Sequence, residues 1–253
     1  MWVLGSLGAG FLVLPILGLL VRAPWSDIVE RLTQPGVGAA LRLSLLCSTA
    51  STALALVLGI PLAWLLARAR LPAKPLIRAI VLVPLLLPPI VSGIGLLAAL
   101  GRKGFAGQLL DGLFGLRLPF STLGVIVAVS YVALPFVVVT MEGAFLTVDA
   151  RLEQAAATLG ARPLVVTRTI TLPLVLPSLA AGTVLAWARS MGEFGATVTF
   201  AGNLPGRTQT LPLATFLALE NDLDQAVMLS LLLLLPSIAM LALVRGRSRG
   251  LGA

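Results

Sequence analysis

The chain has 253 residues, 58% of them hydrophobic and 11% charged, with a mean hydropathy of +1.04 and a formal net charge of +8. A soluble domain averages about 25% charged residues, so the charged shell that faces water is missing and a bilayer is the solvent this composition fits. With no histidine and one cysteine, Cys47, histidine acid/base chemistry, the Ser-His-Asp triad, zinc frameworks and an intrachain disulfide are excluded, and Lys and Arg scattered between apolar runs build no nucleic-acid patch.

A helix needs about 20 apolar residues to cross the hydrocarbon core. Six uncharged windows of that size follow one another, at 1–21, 43–67, 79–101, 118–141, 169–188 and 225–244. The first has no basic residue ahead of its apolar run and no small-x-small site before Arg22, so it reads as a retained helix rather than a signal peptide. The second carries the hydroxyls of Ser48, Thr49, Ser51 and Thr52 beside Cys47, which reads as a small buried hydrophobe. The third carries Ser92. Prolines at 61, 84, 88, 89, 135, 173, 177 and 236 each remove a backbone donor inside a window. Such kinks suit a pathway that moves, and equally a static bundle of bent helices.

Six crossings place both termini on one side. The basic segment Arg68, Arg70, Lys74, Arg78 and the later Arg245, Arg247, Arg249 share that side, which the positive-inside rule makes the cytoplasm. Arg22, Arg31, Arg102, Lys103 and Arg117 fall on the other side, so the bias is one of density.

Between the fourth and fifth windows, residues 142–168 leave the apolar pattern. Asp149 is placed to cap a short helix, the run Leu152-Glu153-Gln154-Ala155-Ala156-Ala157 has high helix propensity, and Gly160 suits the left-handed turn that ends it. Pro163 can open the next helix. Small Ala155 and Ala156 let another protein's backbone approach closely, a docking element. An amphipathic connector on the membrane surface is the plainer reading. Past the fifth window, Arg189 and Glu193 are four apart, which on a continuing helix pairs them.

The segment resembles the cytoplasmic signature of ATP-binding-cassette importer permeases, Glu-Ala-Ala, three residues, Gly, nine residues, then Ile-x-Leu-Pro. Here it reads Gln154-Ala155-Ala156, Gly160, Ile170, Leu172-Pro173, with Glu153 beside the glutamine. Glutamine keeps the length and one acceptor but not the charge. Pro84 to Gly93 and Arg189 to Thr197 are similar to the oxyanion branch of these permeases, and Gly202 to Pro212 looks most like its molybdate members, with sulfate and thiosulfate members as the alternative.

The resemblance implies an all-α integral membrane fold, the type I importer permease, with six transmembrane helices and a cytoplasmic coupling helix in one domain of 1–253. It further implies an inner-membrane homodimer that binds two cytoplasmic ATPase subunits and receives molybdate or tungstate from an extracytoplasmic oxyanion-binding protein. ATP and magnesium belong to the ATPase, and this chain carries no cofactor, metal or catalytic residue. Consistent with that, it contains no Gly-x-x-x-x-Gly-Lys-Ser/Thr phosphate loop. Coupling falls to Glu153, Gln154, Ala155, Ala156, Gly160, Ile170, Leu172 and Pro173.

A dianion needs weak donors along its path, since a fixed strong cation at the midplane would trap it. Ser48, Thr49, Ser51, Thr52, Ser92, Thr197 and Thr199 are the candidates, with Arg189 and Glu193 as a gate; the plainer reading is that the hydroxyls bond helix backbone and the two charges form a structural pair. Asn203, Arg207, Gln209, Glu220, Asp222 and Asp224 offer a turn and a charged rim to the binding protein, or form a solvated loop. An ATPase-independent channel or secondary transporter predicts flux without a partner. An intramembrane enzyme lacks the histidines and paired carboxylates it would need.

Overall fold

The computed structural model describes residues 1–249, which form helices joined by turns, with no strand among the described residues. Three long helices make the centre: α3 (Val37–Arg68), α7 (Thr122–Thr147) and α10 (Leu172–Met191). Their contact is built mainly from small and β-branched residues, among them Ala55, Ala63, Ala133, Val137, Val138, Val175 and Ala186, with the longer Met141 between them, all buried. Two glycines set the approach distance. A Cβ on Gly59 would stand 2.9 Å from Val137 Cγ1, and one on Gly182 would stand 3.2 Å from Thr140 Cβ, so side chains of α7 rest directly on the backbones of α3 and α10 at these points.

Hydroxyls join the same helices. Ser51 Oγ donates to Ile126 O at 3.0 Å, Ser130 Oγ donates to Ser51 O at 3.3 Å, and Trp187 Nε1 donates to Thr49 Oγ1 at 3.3 Å. Cys47 is buried, as its apolar setting indicated.

The third window is not a straight crossing. It is split into α4 (Lys74–Leu86) and α5 (Pro89–Leu100), which meet at 117°. The cause is Pro88-Pro89: a residue before proline is pushed out of the helical region, and both Leu87 (φ −74°, ψ 138°) and Pro88 (φ −53°, ψ 136°) are extended. Pro61, Pro135, Pro177 and Pro236 stay inside continuous helices. Five helices are long and apolar enough to span a membrane, and the bent pair supplies the sixth span when counted as one.

The first span, α1 (Trp2–Arg22), buries no residue and meets the rest of the chain near Leu19. A 3₁₀ turn and the short α2 (Ile28–Leu32) lead from it into α3. The last, α13 (Leu223–Arg249), packs its first turns on α2 and on Ala23. The side chains of Arg245, Arg247 and Arg249 lie outside the described residues. Short helices that no apolar window announced fill the connections: α6 (Phe105–Phe114), α8 (Ala150–Thr158), α9 (Pro163–Val166), α11 (Gly195–Phe200) and α12 (Leu211–Asn221).

Candidate functional site

At one end of α7 the chain forms α8 as its sequence indicates. Asp149 Oδ1 accepts from Arg151 N at 2.9 Å, a cap on the first turn. At the other end Gly160 has φ +83°, its N–H donates to Ala157 O and that of Ala161 to Ala156 O, both at 3.0 Å, so the last carbonyls are satisfied by a Schellman turn. Pro163 occupies the first turn of α9. A π-helical turn, Thr167–Thr171, then joins α9 to α10.

That turn is where α8 is tied down. Glu153 Oε1 accepts from the Thr171 hydroxyl at 2.7 Å, and Glu153 Oε2 lies 3.4 Å from Arg68 Nη2, which also donates to Val148 O at 3.1 Å. The carboxylate that anchors α8 to the end of α3 and to the base of α10 is therefore Glu153. Gln154 is exposed, and its side chain makes no hydrogen bond among the described residues. Ala155 is exposed and Ala156 half-buried.

Sequence reasoning passed over Thr171, which is buried one place before Leu172, and over two leucines, Leu152 in α8 and Leu159 just past its last residue. Leu152 is 49% and Leu159 88% exposed, seven apart and so on one face with the alanines between them. The i, i+7 spacing was the available signal. Ile170 is half-buried, while Leu172 and Pro173 are exposed at the start of α10.

Deeper in the bundle, the two segments that resemble the oxyanion branch meet. A Cβ on Gly93 of α5 would fall 1.7 Å from Thr199 Oγ1 and 2.8 Å from Ala196 O, and one on Gly195 would fall 2.8 Å from Pro89 Cβ. Backbone of α5 thus lies directly on backbone of α11. Glu193 is 2% exposed, with Oε2 2.6 Å from Arg189 Nη1 and Oε1 accepting from Ala196 N at 2.9 Å. The pair expected on a continuing helix forms across a turn instead, because α10 stops at Met191 and Gly192 caps it. One carboxylate therefore closes α10 and opens α11.

The hydroxyls divide into three groups. Thr52 donates to Ser48 O at 2.7 Å and Thr199 to Gly195 O at 2.8 Å, each on its own helix, while Ser51 and Thr49 bridge helices. Ser48 is buried in α3. Ser92, Thr197 and the previously unconsidered Ser190 are buried with their hydroxyl oxygens unpartnered among the described residues. Those three keep hydrogen-bonding capacity.

At the opposite end of α7, the loop 202–212 is rigid. Leu204 O accepts from the amides of Arg207, Thr208 and Gln209, and the buried Thr208 hydroxyl accepts from Leu204 N at 2.9 Å. Asn203 and Gln209 are half-buried, Arg207 and Glu220 exposed. Asp222 and Asp224 face Arg31 of α2 at 2.8 and 3.7 Å, so this part of the acidic run holds the segment after α1 against the start of α13. The Gln225 amide and the Arg31 guanidinium hold the Asp222 carboxyl below the usual aspartate range.

The model of the family described as "Binding-protein-dependent transport system inner membrane component" matches residues 55–249. The chain is 46% identical over 226 residues to the molybdenum transport system permease protein ModB of Mycobacterium tuberculosis, covering 89% of this chain and 85% of the relative. It is 33% identical over 234 residues to the sulfate transport system permease protein CysT of Salmonella typhimurium, covering 91% and 84%. Its fold matches a chain of a bacterial alginate ABC transporter, solved in complex with an alginate pentasaccharide-bound periplasmic protein, with TM-score 0.78 at 16% identity over 99% of this chain and 95% of that one. The tied-down α8, the bent third span and these likenesses agree: the chain belongs to the inner-membrane components of binding-protein-dependent transport systems.

Proposed function

We propose that two copies of this chain form the membrane pathway of an importer for molybdate or tungstate, driven by ATP hydrolysis in two separate cytoplasmic subunits and loaded by an extracytoplasmic oxyanion-binding protein. The observation that carries the substrate is the identity gap, 46% to a molybdenum permease against 33% to a sulfate permease over similar lengths. Docking of the ATPase is assigned to α8 and its C-cap, whose exposed Leu152 and Leu159 flank the alanines. Coupling then runs through Glu153 to α3 and α10. A second copy is supported by α1, an apolar helix that meets its own chain near Leu19 and has no fully buried residue. The end bearing α8 is assigned to the cytoplasm, with both termini on that side and loop 202–212 outside, facing the binding protein.

In this mechanism ATP closes the two ATPase subunits and draws the two copies of α8 together. The α3–α7–α10 core then moves as a body and α5 with α11 shifts at the pathway, a switch between packed arrangements rather than a gradual deformation. Reconstitution with the ATPase and binding protein in proteoliposomes tests the reading. ATP-dependent uptake of labelled molybdate that a tenfold excess of sulfate leaves unaffected is the expected result. Uptake of sulfate in preference to molybdate would move the chain to the sulfate reading, and flux without any ATPase would remove the importer reading altogether.

A further inference from the structure

Four exposed cations from three separate turns contribute to the lining of one open, largely apolar cavity at the end of the molecule away from α8. The cavity, about 630 Å³, has Arg102, Lys103, Arg117 and Arg207 in its lining, with Leu97 and Phe120 among its apolar wall. Each turn is rigid. Gly104 N donates to Gly101 O at 2.9 Å, and a Cβ on Gly104 or Gly107 would fall 2.3 Å from Ala99 O or 2.0 Å from Gly101 O, so α6 is folded hard back on α5 and presents Arg102 and Lys103 at the bend. Arg117 Nε donates to Asp111 Oδ2 at 3.0 Å. The Arg207 loop is held by the Thr122 hydroxyl, which donates to Arg207 O at 2.9 Å.

Between the turns sits Phe120, a non-glycine residue at φ +58°, and a Cβ on Gly202 would meet its ring at 2.9 Å. Backbone strain of this kind persists where the surroundings over-determine it, and it clusters at sites of function. The charge does not cancel. Asp111 answers Arg117, whereas Arg102, Lys103 and Arg207 have no carboxylate within 4.0 Å among the described residues.

Size decides what kind of anion site this is. At about 30 Å³ per liquid water, the cavity has room for roughly twenty waters. A tetrahedral dianion therefore fits with its hydration shell and is attracted by uncompensated charge without being stripped. Holding of that kind is weak, quick and salt-dependent, which suits passage and not storage. The location agrees, because α5 runs from the cavity wall at Leu97 and Gly101 to its contact with α11, beside which Ser92 and Thr197 keep free hydroxyls.

We propose that this cavity is the entry vestibule of the pathway, where a hydrated divalent oxyanion collects before it moves along α5. The inference rests on the oxyanion reading above and deepens it. Crystals of the complete permease–ATPase complex, without binding protein, soaked in tungstate give the direct test, since tungsten is located by its anomalous scattering. A peak inside the cavity is expected, lost in the triple variant R102Q/K103Q/R207Q and retained in the charge-conserving R102K/R207K. Uptake should agree: at low salt R102Q/K103Q, which leaves the docking loop 202–212 unchanged, raises KM on the order of tenfold with the maximal rate little changed, and the difference shrinks as ionic strength rises. No tungstate in the cavity while molybdate uptake proceeds would overturn the vestibule and leave the importer intact. So would a lipid phosphate filling the cavity in nanodiscs, or an R102Q/K103Q variant whose defect is lost affinity for the binding protein at every salt concentration. Absence of uptake of molybdate and sulfate alike by the unsubstituted complex would instead bring down the oxyanion reading, and the vestibule with it.

Discussion

Glu153 shows how one side chain can carry a connection that the family signature places one residue later. It accepts from Thr171 and faces Arg68, so α8, α3 and the π turn meet at one carboxylate, whereas Gln154 at the signature position is exposed. Glu153→Ala removes the acceptor for Thr171 together with the partner of Arg68, and Thr171→Val removes the hydroxyl from the same contact. Hydrogen bonds to a charged group contribute about 1.5–3 kcal/mol, and partial exposure reduces this to on the order of 1 kcal/mol, or about fivefold. Each variant is expected to lower molybdate uptake per ATP hydrolysed by about that factor, and the double variant to lose little more than either single one. Additive losses would mean that the two residues act separately. Gly93 is a simpler case, since any Cβ there collides with Thr199 Oγ1 and Ala196 O. Gly93→Ala should cost about 1–3 kcal/mol of stability, seen as a lower Tm of the purified complex. Adding Thr199→Ala should recover only part, because the carbonyl contact remains.

At the scale of elements, what the residues announce and what they conceal follow from the range of the forces involved. Asp149, Gly160 and Pro163 act on the backbone beside them, so α8 and its two ends were legible in the sequence. The bend between α4 and α5 had its signal in Pro88-Pro89, but hydropathy over a window of about 20 residues averages across a proline pair and reports one span. Pairing of Asp222 and Asp224 with Arg31 was not legible, as the partners are some 190 positions apart and a run of acids reads the same whether paired or solvated. The four-cation cavity was hidden for the same reason. The Arg31–Asp222 contact makes a pH prediction. Asp222 is held below the usual aspartate range by the Gln225 amide and Arg31, so its stabilising effect is present above that range and is lost as pH falls through it toward the lowered value. A spin label introduced by Gln34→Cys, next to α2, should be immobile at neutral pH and gain mobility as pH falls below about 4. In Asp222→Asn it should be mobile at both. A label equally restrained in the variant would show that apolar packing on Ala23 and Val227 holds α2 without the ion pair.

For the molecule as a whole, the proposed importer requires that events at α8 reach α5 and α11, across α3, α7 and α10 and along α4, which is paired to α7 through Arg78 and Glu142 and runs into α5. α7 alone is 26 residues, about 39 Å at 1.5 Å per residue, and its glycine-spaced contacts with α3 and α10 leave little room for the three to slide past one another. Motion is then transmitted by the block as a unit, with the bent third span as the place where geometry can change, since Leu87 and Pro88 already interrupt the helix. Such a block predicts two distances that change together. Spin labels introduced by Arg151→Cys, at the exposed start of α8, report the separation of the two copies at the ATPase side, and labels introduced by Gly206→Cys in loop 202–212 report it at the other end. Cys47 is buried, so background labelling is low. Trapping the ATPase with ATP and vanadate should shorten the first distance and lengthen the second in the same complexes, measured by pulsed electron double resonance. Gly206 has φ +71°, so cysteine there carries backbone strain, and Pro205→Cys serves as the second reporter. A first distance that shortens while both outer reporters stay fixed would mean that the core flexes and absorbs the motion, and the rigid-body route from α8 to the pathway would then fail.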